Sequence, residues 1–144
     1  MSRENPRHRL FRAKAALPLA LALGACSASG VREEAPTGAW RLAGAGADAR
    51  GPTLEFLSDG RVAGHAGCNR YSSQAQWLPP DGLRFGPAAA TKMACMDEAV
   101  MAQEVAFLQM LGRVAAWRRE GSELVLLAAD GTGLARLEPS PVSD

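Results

Sequence analysis

The sequence predicts an α+β domain, in which a small curved antiparallel β-sheet or partial barrel packs around one central helix. Three observations lead to this class. Short segments with alternating apolar residues run from position 38 to about position 85. One stretch, 97–111, instead repeats its apolar residues at helical spacing, and alternation then resumes as far as 138. Strands, one helix and further strands in this order favour a sheet that folds around the helix.

Alternating segments separated by turn residues predict the strands that precede the helix. Trp40 and Leu42 alternate in the first of them, "GAWRLAG". The stretch "PTLEFLSDGRVAGHAG" predicts a hairpin with its turn at Asp59 and Gly60. The stretch "YSSQAQWLPPDGLRFGP" predicts two more short strands around a turn at 79–82.

The segment "DEAVMAQEVAFLQML" predicts the helix over 97–111, with acidic residues in its first turn and Gly112 at its end. Beyond it, "RVAAWRR", "SELVLLAA" and "TGLARLE" predict three strands. Turns at 120–122 and at "DGTG" connect them.

The N-terminal region predicts export. Residues 1–25 combine five basic residues with the apolar run "AALPLALALGA", which is typical of a signal peptide. The run ends in "LGAC", which resembles a lipobox and predicts lipidation of Cys26; the alternative is an ordinary signal peptide beside an incidental cysteine. We therefore expect a lipidated cysteine and flexible tether over 26–37, a folded domain over 38–138 and a disordered tail over 139–144.

The charge of the mature chain bears on its partners, and the residue after Cys26 bears on its location. Removing residues 1–25 leaves 11 basic and 14 acidic residues, a formal charge of −3, so the composition does not support a nucleic-acid partner, which needs a basic patch or stripe. Ser27 follows Cys26, as in lipoproteins sent on to the outer membrane. The predicted location is the bacterial cell envelope, with the lipid in the outer membrane and the domain facing the periplasm.

The remaining cysteines, Cys68 and Cys95, predict a disulfide, because two leftover cysteines in an exported protein more often pair than react. A thiol enzyme with Cys68 as nucleophile and His65 as base is the first alternative. Positions 65 and 68 of an extended strand point to opposite faces, so that pair would need a bulge. The second alternative is a metal site whose ligands are His65, Cys68 and Cys95, with Asp97 as a fourth. The chain lacks the paired short cysteine spacings that are typical of such a site.

A charged residue on the apolar face of the helix predicts a structural contact. On a helical wheel, Glu104 falls within an arc of six apolar residues, namely Val100, Met101, Val105, Phe107, Leu108 and Leu111. If the helix packs deeply, the carboxylate needs donors, because an unpaired buried charge is too costly. The candidates are the backbone amides of 67–70 or the side chains of Asn69 and Arg70. The alternative is a shallow helix whose carboxylate reaches solvent.

Four segments in this order resemble the META domain, the HslJ-like family of bacterial envelope proteins. They are "GHAGCNRY", "TKMAC", "EVAFLQML" and "LVLLAADGTGLARL", and the resemblance covers nearly all of 38–138. It implies a small β-rich fold around a helix, frequent lipoprotein or secreted status, and an association with heat shock and antibiotic resistance. The family offers no catalytic residues to transfer.

These observations together predict a lipid-anchored envelope protein that is not an enzyme and uses no cofactor or metal. Its expected role is to bind an envelope protein, or to support envelope integrity under stress. A small-molecule binding module and a thiol enzyme acting through Cys68 are the alternatives. An apolar pocket would favour the first of these and a free Cys68 thiol the second.

Overall fold

The computed structural model describes residues 34–44 and 51–141, so the predicted signal peptide, Cys26 and most of the predicted tether lie outside the described residues. This part of the chain holds nine strands and one helix. The strands are β1 Gly38–Leu42, β2 Thr53–Phe56, β3 Arg61–His65, β4 Arg70–Leu78, β5 Gly82–Phe85, β6 Ala89–Ala90, β7 Ala116–Glu120, β8 Glu123–Leu127 and β9 Gly133–Pro139. Helix α1, Glu98–Leu111, lies between β6 and β7.

The nine strands form one antiparallel sheet in the order β3-β2-β1-β9-β8-β7-β5-β4-β6. Strand β3 also pairs with β4 over five residue pairs, from Arg61 opposite Gln74 to His65 opposite Arg70. The sheet therefore closes on itself. Strand β9 continues to Pro139, and the Ser140 N–H donates to the Ala39 carbonyl at 2.9 Å, so the last strand extends just past the expected domain end at 138.

The predicted α+β class is wrong. Nine strands and a single helix of 14 residues make a β-rich fold. Most of the core comes from the sheet itself, where Leu54, Leu83, Leu124 and Leu137 are completely buried. The change of period in the sequence locates a helix correctly but carries no information about how much of the core that helix supplies.

Helix α1 lies shallowly against the sheet. The Asp97 side chain caps its first turn by accepting from the backbone N–H groups of residues 99 and 100. Phe107 and Leu111 are its buried residues, and the Phe107 ring meets the Tyr71 ring edge to face at 5.6 Å. Met101 and Val105, which the wheel placed in the packed arc, are exposed. The shallow position keeps that side of the helix in solvent.

Candidate functional site

The end of β3 is fixed against β2 by a close backbone approach. A Cβ atom on Gly64 would lie 2.2 Å from the Thr53 carbonyl oxygen, so this position requires glycine. The Tyr71 hydroxyl donates to the same carbonyl at 2.9 Å, and burial raises the pKa of Tyr71. The His65 N–H donates to Thr53 Oγ1 at 3.0 Å. These contacts set the start of the β3–β4 connection.

The Glu104 carboxylate accepts three hydrogen bonds from the β3–β4 connection. Its Oε2 atom accepts from the N–H of Cys68 at 3.2 Å and from that of Asn69 at 2.7 Å. Its Oε1 atom accepts from Asn69 Nδ2 at 2.8 Å. Gly67 lets the helix come this close, since a Cβ there would lie 3.1 Å from the Val100 carbonyl oxygen. The half-buried carboxylate therefore joins the helix to the loop.

Asn69 is the centre of this arrangement and is only 4% exposed. Its Oδ1 atom accepts from the Thr91 hydroxyl at 2.9 Å and from the Met93 N–H at 2.7 Å. Its Nδ2 atom donates to the Met93 carbonyl at 3.3 Å as well as to Glu104. One buried amide thus connects the loop, the helix and the segment before the helix.

The structure joins Cys68 to Cys95 in a disulfide, with the two Cα atoms 6.1 Å apart. Of the two side chains proposed as donors to Glu104, it brings Asn69 to the carboxylate but not Arg70. Arg70 is exposed, and its backbone N–H donates to Thr91 Oγ1 at 3.2 Å. Cys68 is half of a disulfide and so offers no thiolate in this oxidised form.

An open cleft of about 620 Å³ lies beside the disulfide. Its wall includes His65, Cys68, Cys95, Met96 and Asp97. His65 is exposed there. Over 34–44 and 51–141, no three His, Cys, Asp or Glu side chains are grouped closely enough to hold a metal ion. Asp97, the fourth ligand considered for a metal, instead caps the helix.

Four apolar side chains project into solvent around the start of the helix, and we call them the methionine surface. Their exposed fractions are 60% for Met93, 103% for Met96, 44% for Met101 and 55% for Val105. The backbone that carries Met93 and Met96 is held by Asn69 at residue 93, by the disulfide at residue 95 and by the helix cap at residue 97. Sequence reasoning missed this surface, although three methionines within nine residues mark it.

The sequence model of the META domain matches residues 33–141, which is most of the chain. The chain belongs to the META domain family. The loop, its disulfide and α1 all lie inside the matched range of this META domain. No curated protein matches the chain.

Solved structures share the fold of this META domain at low sequence identity. An NMR structure of a protein from Burkholderia xenovorans is 23% identical, with a TM-score of 0.55, over 94% of this chain and 98% of that one. A second NMR structure is 18% identical, with a TM-score of 0.57, over 74% and 92% of the two chains. A crystal structure of a DUF4847 family protein from Bacteroides vulgatus is 14% identical, with a TM-score of 0.50, over 65% and 62%. These similarities concern the fold alone.

The described part of the chain contains no helix of the length and apolarity needed to cross a membrane.

Proposed function

We propose that this META domain protein is a lipid-anchored, non-enzymatic component of the cell envelope that binds another envelope protein through the methionine surface. The observation that carries the proposal is the exposure of four large apolar side chains on one held segment and the adjoining helix turns. All four lie between residues 93 and 105, and exposed apolar patches are typical of binding sites. Support of the envelope under stress would follow from this contact.

The chemistry of the surface favours a protein partner. Methionine is unbranched and polarisable, so several methionines together adapt to apolar side chains of varied shape. The backbone under Met93 and Met96 is already ordered by the disulfide and by Asn69. Binding would therefore order side chains but little backbone, which lowers the entropic cost of association.

A photocrosslinking residue at position 96, introduced into the full chain in intact cells, is expected to form a covalent adduct with one discrete envelope protein. The same probe at Asp130, in the exposed turn between β8 and β9, is the matched control and should give no such adduct. Immunoblotting for a shifted band measures both.

The absence of an adduct from positions 93, 96 and 101 alike would contradict the proposed docking.

The cleft beside the disulfide gives a second candidate function, because its volume of about 620 Å³ lies within the range of small-molecule sites. If a small molecule occupies it, the domain purified from cells should carry added mass in native mass spectrometry, with no protein adduct at position 96.

The anchor is tested separately. Cys26→Ala is expected to move the protein from the membrane fraction to the soluble periplasmic fraction, because acyl chains on the cysteine supply the membrane affinity. Ser27→Ala, next to it, should leave the protein in the membrane fraction. A Cys26→Ala protein that sediments with membranes like the parent would refute lipidation at this position.

A further inference from the structure

We propose that Met93, Met96 and Met101 are sites of reversible oxidation by peroxides, and that their oxidation leaves the domain folded. Met96 is completely exposed at 103%, Met93 is 60% exposed and Met101 is 44% exposed. Met110, at the other end of the same helix, is half-buried and packs against the core. The four methionines between residues 93 and 110 therefore differ stepwise in their exposure to solvent.

The chemistry needs only the thioether and an oxidant. The methionine sulfur donates an electron pair to the terminal oxygen of a hydroperoxide, an S–O bond forms and the O–O bond breaks. The sulfur is oxidised to the sulfoxide, while the peroxide is reduced to an alcohol, or to water when the oxidant is hydrogen peroxide. A thiol-dependent methionine sulfoxide reductase removes the oxygen again as water, while two thiols are oxidised to a disulfide and supply the two electrons and two protons. Cys68 and Cys95 do not compete for the oxidant, because they are already paired.

The position of each thioether explains why the fold tolerates the change. Asn69 holds Met93 through the backbone N–H and carbonyl of Met93, and the residue is 60% exposed. Met96 and Met101 are exposed and stand outside the buried core cluster. All three side chains are exposed, so a sulfoxide oxygen on any of them has access to water. At Met110 the same oxygen would face apolar core residues, where an unpaired polar atom is destabilising.

Oxidation also has a consequence that rests on the proposed function. Three of the four residues of the methionine surface would become polar and chiral, and a surface of this kind no longer suits apolar side chains. Peroxide would thus release the partner, and reduction would restore the contact. The modification sites themselves do not depend on whether a partner exists.

The test uses the mature, disulfide-intact protein treated with limiting hydrogen peroxide. Cleavage at Lys92 and Arg113 releases all four methionines in one peptide, "MACMDEAVMAQEVAFLQMLGR", after reduction and alkylation. Fragment-ion mass spectrometry then compares the sites within the same molecule. We expect sulfoxide to accumulate in the order Met96, Met93, Met101, Met110, with Met110 roughly tenfold slower than Met96. Circular dichroism should stay unchanged until Met110 reacts.

Equal rates at Met96 and Met110, or loss of structure when Met96 alone is oxidised, would overturn the proposal. A second arm uses the triple variant Met93→Leu, Met96→Leu and Met101→Leu, which keeps the surface apolar but removes its thioethers. With a crosslinking residue at Val105, peroxide should abolish the partner adduct of the parent and spare that of the variant. Lack of any adduct before peroxide would refute the docking function while the order of oxidation stands. Loss of both adducts would refute regulation by these methionines.

Discussion

Glu104→Ala is expected to destabilise the domain by about 2 to 4 kcal/mol. The variant leaves two backbone N–H groups, at Cys68 and Asn69, and the Asn69 side-chain amide without their common acceptor. Water reaches this half-buried site only in part, so it does not fully replace the carboxylate. Urea unfolding of the disulfide-intact domain measures the change.

Gln103→Ala, one position earlier on the exposed side of α1, is the matched control and should change stability little. His65→Ala should also cost little, because His65 donates to Thr53 Oγ1 through its backbone N–H, which the substitution keeps. Asn69→Ala should lower the free energy of unfolding as much as Glu104→Ala does. The double variant should lower it by less than the sum of the two single changes. A Glu104→Ala domain as stable as the parent would show that the three hydrogen bonds contribute no net free energy.

Removing the disulfide is expected to cost roughly 3 to 4 kcal/mol in the free energy of unfolding, since the Cys68–Cys95 bond closes a loop of about 28 residues in the unfolded chain. The variant is the pair Cys68→Ser and Cys95→Ser. Thermal or urea unfolding with and without a reductant measures the loss. When its disulfide is reduced, the parent should be no more stable to heat or urea than the variant.

The reductant provides the internal control, because it should leave the double serine variant unchanged. If the reduced parent unfolds at the same urea concentration as the oxidised parent, the bond does not constrain the unfolded chain in the expected way. The Glu104 and disulfide effects should also be less than additive, because the Cys68 N–H is one of the donors to Glu104.

Local pattern located most of the elements but not the fold class. Alternation in "TLEF" and "RVAGH" and the turn signal "DG" give β2 and β3 directly, because each side chain's face follows from its position in a strand. The two-residue strand β6 was missed, since Ala89 and Ala90 are too short a run to show any period. The closure of β3 onto β4 and the pairing of β1 with β9 are long-range contacts with no signature in local sequence.

Parts of the site followed from the sequence for different reasons. The disulfide follows from counting cysteines in a chain that is predicted to be exported. The position of Glu104 on the wheel requires either hydrogen-bond donors or solvent for its carboxylate. The wheel could not find the contacts between Asn69 and the Met93 backbone, because both residues lie outside the helix that the wheel describes. It also grouped Met101 and Val105 with the buried Phe107 and Leu111 in one apolar arc, because a wheel gives a direction and not the depth to which a helix sinks.

The pairing of β1 with β9 has a consequence for the order of events in folding. Trp40 lies opposite Pro139, so the first and last strands of the domain are neighbours in the sheet. During synthesis β1 is made long before β9. The edge of β1 that pairs with β9 therefore stays unpaired until nearly the whole domain has been synthesised. Loop-closure entropy makes such a contact slow to form. A chain cut short before β9 would leave β1 with an open edge, and such edges are sites of aggregation.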